Sequence, residues 1–214
     1  MNSPAKIEGY RRKRIRCFKL ILKEWIRATT EITEEWAEYR DVPWWYTERA
    51  SLSVFAGAVW RAGGLSFEEY SDEKRKVGKR TRRLGALYPG RVDLHFSWRG
   101  FDFIAEAKDT WSGFNQEHAD PKRRLAGCLR RACSDIKKTA PHGQRRLGIA
   151  FAMPYFRKGA KPQIDKKILA WVDALEDLDT SAYAWVFPKS SRYIHDSDGY
   201  FCPGVAVLIK EVKR

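Results

Sequence analysis

Asp93, Glu106 and Lys108 have the types and the spacing to work on a phosphodiester. They lie in two runs, Val92 to Trp98 and Phe101 to Lys108, each alternating apolar and polar side chains with the period of a strand. Arg99-Gly100 between them reads as a two-residue hairpin turn. A hairpin folded there sets Trp98 against Phe101, Phe96 against Phe103 and Leu94 against Ala105, one continuous apolar side that must lie on a core. The same register carries Asp93 opposite Glu106, with Lys108 two residues further along that face. Directly opposed side chains have Cβ atoms roughly 5 Å apart, where like charges destabilise the pair unless a cation compensates them.

Phosphodiester hydrolysis at neutral pH needs an activated water, neutralisation of the phosphate and help for the leaving oxygen. Bound Mg²⁺ or Mn²⁺ supplies these, and Mg²⁺ takes one or two protein carboxylates with water and phosphate oxygens completing its shell. Asp93 and Glu106 match that ligand count, and the backbone carbonyl of Ala107 is a third donor at the strand edge. Lys108 is suited to hold or polarise the attacking water and to stabilise developing charge. The bland alternative is a solvated hairpin face on which Lys108 bridges the acids as a weak surface ion pair.

The elements that would position these groups are legible around the hairpin. Thr47 is a helix cap, and the helix it opens runs to about Arg61, apolar on nearly every side and so expected to be buried, with Gly63-Gly64 at its end. Glu48 falls on its Leu52–Phe55–Val59 stripe. Two readings stand: a carboxylate aimed into the site, or one favoured by the helix N-terminus. Leu65 to Tyr70 is a candidate short strand. Asp120-Pro121 starts another helix, with Leu125, Leu129, Ala132, Cys133 and Ile136 as its buried stripe. A strand from Arg146 to Phe151, a helix from Ile164 to Leu178 and strands Ala182 to Phe187 and Val205 to Val212 follow. Upstream, Ile7 to Tyr39 shows helical spacing (Phe18, Leu22, Trp25, Ile32, Trp36) and predicts one long helix or two. Alternating helices and strands in the second half imply an α/β sheet with helices on both faces.

Composition points to the partner. The 214-residue chain carries a formal net charge of +14, a field that favours polyanions, with DNA first, RNA as the alternative and an anionic membrane surface behind them. Lys74 to Arg83 packs seven basic residues into ten positions (Lys74, Arg75, Lys76, Lys79, Arg80, Arg82, Arg83), a run expected as a loop at the rim of the site. With Arg123, Arg124, Arg130 and Arg131 these are the candidate phosphate contacts. Trp44, Trp45 and Tyr46 suit stacking on unpaired bases or, as the better explanation, a hydrophobic staple ahead of the Thr47 helix. The four cysteines lack metal-finger spacing and are expected as reduced thiols. The apolar run near the start is interrupted by Lys19 and Lys23, and no stretch reaches transmembrane length, so the expectation is a cytoplasmic protein without a signal peptide or membrane partner.

Val92-Asp93 followed by Glu106-Ala107-Lys108, after a helix bearing Glu48 and before the Asp120 helix, resembles the PD-(D/E)XK nuclease superfamily, which includes restriction endonucleases and Holliday-junction resolvases. The resemblance covers roughly Thr47 to Phe151 and implies an αβββαβ core with a mixed central sheet flanked by helices. On that reading residues 1–42 are an N-terminal helical extension, residues 43–214 the nuclease-like domain, with its core at about 47–151 and a C-terminal elaboration over 152–214. It implies metal ligation by Asp93 and Glu106, a catalytic Lys108 and an accessory Glu48. Val92 departs from the proline often found there, and no Gln has Tyr four residues later, which favours an endonuclease or resolvase-like branch over the exonucleases. The implied activity is Mg²⁺- or Mn²⁺-dependent cleavage of DNA. The alternatives are a non-catalytic nucleic-acid-binding module of the same fold within a larger assembly, and an RNA-cleaving member. A homodimer, or a larger defence or mobile-element assembly, would suit cutting both strands.

Overall fold

The computed structural model describes residues 7–77, 84–113, 120–139 and 143–213. Among the described residues the strands are β1 (Ile7–Arg12), β2 (Leu65–Val77), β3 (Leu84–Trp98), β4 (Phe101–Gly113), β5 (Arg145–Arg157), β6 (Ala182–Phe187), β7 (Tyr200–Phe201) and β8 (Val205–Val212). The helices are α1 (Lys19–Glu35), α2 (Glu48–Arg61), α3 (Pro121–Ile136) and α4 (Ile164–Glu176). The sheet order is β1-β6-β8-β5-β4-β3-β2, with β7 off this path against β5. The β4–β5 pair is parallel and the other described pairs are antiparallel, so this is a mixed α/β sheet.

The central strands read as they must when both faces are covered. In β5, Leu147, Ile149, Phe151 and Met153 face one core, and Ala150, Ala152 and Phe156 face the other. The first core is closed by α1 and α2 through Ile21, Leu22, Trp25, Leu52, Phe55 and Val59. The second is closed by α3 and α4 through Leu125, Leu129, Ile136, Ile168 and Trp171.

The β3–β4 hairpin has the expected register, from Trp98↔Phe101 through Phe96↔Phe103 to Leu94↔Ala105. Phe96 and Phe103 stack with centroids 4.8 Å apart, fixing the two strands face to face. Arg99 and Gly100 both take positive φ, 51° and 78°, the conformation of the tight hairpin turn whose twist matches its strands. Both caps are in place: Thr47 accepts the backbone N–H of Ala50 and Asp120 that of Arg123.

Four expectations need correction. The segment from Ile7 is not helical at its start: Ile7–Arg12 is a strand pairing with β6, because the open edge of β6 satisfies its backbone, and the helix begins only at Lys19. β2 does not stop at Tyr70 but continues to Val77, antiparallel to an equally extended β3. The beginning of the basic run is therefore strand, not loop. Nor is α2 buried all round, since Trp60 lies 55 % exposed on its outer side.

Candidate active site

The centre forms where β3 parts from β4. The ladder between them ends at Leu94↔Ala105, and the next bond is made by a side chain: the Ala107 backbone N–H donates to Asp93 Oδ2 at 2.7 Å. Val92 and Leu94, two apart in one strand, belong to opposite cores, so the chain twists sharply at Asp93. The neighbouring strand yields at the same level, where Glu69, between the pairs Glu68↔Leu94 and Tyr70↔Val92, takes a left-handed φ of 54°. The parting leaves Asp93 and Glu106 beside one another without a continuous ladder between them.

Glu106 is the most enclosed acid of the cluster, its side chain 5 % exposed, and Lys74 Nζ from β2 donates to its Oε1 at 2.6 Å. Burial and then the neighbouring Asp93 charge push the Glu106 carboxyl up to about 7, against the opposing pull of Lys74 and Lys108. Lys108 donates to the Ala107 carbonyl at 2.5 Å and stands 3.7 Å from both Glu48 Oε1 and Asp135 Oδ2. Burial draws the Lys108 ammonium down, but Glu48, Asp93, Asp135 and Glu106 together more than reverse this and hold it charged. Glu48, the first residue of α2, is raised by burial and by Asp93 and Asp109, with Lys108 and the Asp109 backbone N–H opposing. Glu48 thus reaches the centre from the very start of the helix, its carboxylate 3.7 Å from the Lys108 ammonium.

The structure thus brings together Asp93, Glu106, Lys108, the Ala107 carbonyl and Glu48. Lys74, foreseen as a phosphate contact, faces inward onto Glu106. Arg75 and Lys76 continue β2, while Lys79, Arg80, Arg82 and Arg83 lie outside the described residues. Arg123, Arg124, Arg130 and Arg131 are exposed on α3. Trp44 is buried with its indole N–H on the Cys202 carbonyl, which removes it from any stacking surface. His95 stacks on Tyr70 at 4.8 Å instead of meeting the acids.

Asp135 escaped the sequence reading. It sits in the last turn of α3, bonded to Lys138 at 2.6 Å. Burial would raise its carboxyl, but Lys138, Lys108 and Lys74 outweigh that and lower it. The signal for it was a lone acid in an otherwise basic helix beside the buried Ala132, Cys133 and Ile136.

Among the described residues no three acidic, histidine or cysteine side chains converge as a metal-binding group. The centre offers two carboxylates and a backbone carbonyl. A hard divalent ion of the Mg²⁺ type takes one or two carboxylates and leaves its other positions to water and phosphate, so this donor set fits it. Burial first and the Asp93 charge second raise the Glu106 carboxyl, so added positive charge beside it favours its ionised form. No helix among the described residues is long and apolar enough to cross a membrane. Comparison of the chain with protein-family models, with curated proteins and with solved structures gives no match.

Proposed function

We propose that this chain is a metal-dependent endonuclease of the PD-(D/E)XK type acting on DNA. The observation that carries the reading is the parting of β3 and β4 at Asp93, which sets that carboxylate beside the buried Glu106 with the Lys108 ammonium alongside. The element order α2-β2-β3-β4-α3-β5 supports the restriction-endonuclease-like assignment, and the net charge of +14 supports a polyanionic substrate.

Asp93 and Glu106, with the Ala107 carbonyl, are the residues to hold Mg²⁺ or Mn²⁺. When bound, such an ion lowers the pKa of a coordinated water and neutralises phosphate charge. The chain's own contribution is geometric and electrostatic. The Ala107 N–H holds one oxygen of Asp93, so that carboxylate keeps its orientation without a substrate. Lys108, kept protonated by four surrounding carboxylates, supplies a fixed positive charge to orient water and receive developing negative charge. Glu48 and Asp135 hold that ammonium between them.

The test is cleavage of supercoiled plasmid with Mg²⁺ or Mn²⁺, run beside single-stranded DNA and RNA. Nicking that is lost in Asp93→Asn and Lys108→Met, while gel-shift binding persists, supports the reading. Absence of cleavage on every substrate, with binding retained, favours the second reading, a nucleic-acid-binding module without catalysis. One observation speaks for that alternative: Lys74 already neutralises Glu106.

A further inference from the structure

We propose that Lys74 is the resident counter-cation of the Asp93–Glu106 pair, and that a divalent ion entering the centre must displace it. This inference rests on the metal-dependent reading above and adds a gating residue to it. The Lys74–Glu106 contact is 2.6 Å long, and both side chains are largely shielded, 18 % and 5 % exposed. Such a pair is a built feature of the interior rather than a surface ion pair. Its position is chemically specific, because Lys74 bonds the carboxylate that faces Asp93. A lysine ammonium and a divalent ion serving the same buried carboxylates repel each other strongly where water is scarce to screen them.

The element that carries Lys74 permits the exchange. Among the described residues no third strand lies beside β2 and β3 beyond Tyr70↔Val92, where they form a two-stranded ribbon running past the last rung between β3 and β4. Lys74 lies in that ribbon, opposite Tyr88, and makes an isolated backbone bridge to Thr139, just past the end of α3. A two-stranded ribbon is held less firmly than a central strand, and the four-carbon lysine stem lets the ammonium swing without a change of register. Displaced from Glu106, Lys74 becomes one more positive charge at the rim of the centre. Ion loading and phosphate attraction are then coupled through one side chain.

The experiment uses the full chain, with Ca²⁺ as the probe because it takes the same oxygen ligands, and follows acylation of each lysine by mass spectrometry beside calorimetric titration. The expected result is a rise in Lys74 labelling of about tenfold, the equivalent of 1.4 kcal/mol in exposure. Its midpoint should follow the calorimetric one, with Lys122 unchanged and both responses absent in Asp93→Asn. Calcium binding with Lys74 still protected overturns the displacement and leaves the metal-dependent reading standing. No binding heat with either Ca²⁺ or Mn²⁺ overturns that reading and this inference together.

Discussion

The Asp93 carboxylate takes the Ala107 backbone N–H, standing where a β3 carbonyl would stand in an unbroken ladder. One side chain therefore has a structural and a chemical task, and the two separate by substitution. Asp93→Ala leaves a half-buried N–H without its acceptor and should cost about 1–3 kcal/mol in urea unfolding. Asp93→Asn retains an oxygen acceptor and should lose less than half of that. Both should abolish metal-dependent cleavage in the plasmid assay.

Lys108→Met should reduce the cleavage rate by about a hundredfold or more, since it removes the charge at the reacting centre. Its unfolding midpoint should hardly move. The Lys108 contacts to Glu48 and Asp135 are partly hydrated at 3.7 Å, a class of ion pair worth below about 1 kcal/mol. A large loss of stability with unaltered turnover would remove Lys108 from the chemistry.

Glu106 gives the chain a distinctive pH dependence. Its carboxyl stands at about 7 in the folded protein against 4.5 in the unfolded chain, so the native state binds the proton more tightly. Between those values the folded form carries more protons than the unfolded form, and stability falls as pH rises. The contribution is fully present below 4.5 and gone above about 7. Thermal melts across this window should show the decline in the wild type and a flatter profile in Glu106→Gln. A saturating divalent ion should raise the upper end of the curve.

Arg192 is wholly buried and paired with Asp165, which is itself partly exposed, while its other terminal nitrogen donates to the Phe187 carbonyl at 2.9 Å. Asp165→Ala removes one counter-charge from an enclosed guanidinium that keeps its bond to the Phe187 carbonyl. The expected loss is about 1.5–3 kcal/mol by chemical denaturation, the scale of a lost hydrogen bond to a charged group.

The exposed arginines of α3 predict a salt signature. If Arg130 and Arg131 meet backbone phosphates, the double substitution to alanine should flatten the plot of log affinity against log salt. On duplex DNA the change is about 0.9 for each phosphate that is no longer neutralised. It should weaken binding to unrelated sequences equally. An unchanged slope in a filter-binding titration would place the nucleic acid elsewhere.

Local chemistry was the legible part of the sequence. Alternation and a two-residue turn were enough to set the hairpin register as far as Leu94↔Ala105, one rung short of the expected Asp93–Glu106 pair, and capping residues located the starts of α2 and α3. Strands β6 and β8 likewise followed from their own apolar runs. What stayed hidden depends on partners far away in the chain. Ile7–Arg12 is a strand only because β6 offers it an edge. Lys74 carries no local sign of its neighbours, and Asp135 only that of a lone acid in a basic helix: one comes to the centre on an extended ribbon, the other on the last turn of a helix crossing between parallel strands.

The Arg99-Gly100 bend lies several residues from the acids, yet it alone counts out which positions of the two arms coincide. One amino acid inserted there would turn the whole second arm over, sending Glu106 toward α1 and α2 while Ala105 took its place. Tolerance to length change should thus be poorest at this small, solvent-washed corner, a place where loops ordinarily drift in size without penalty.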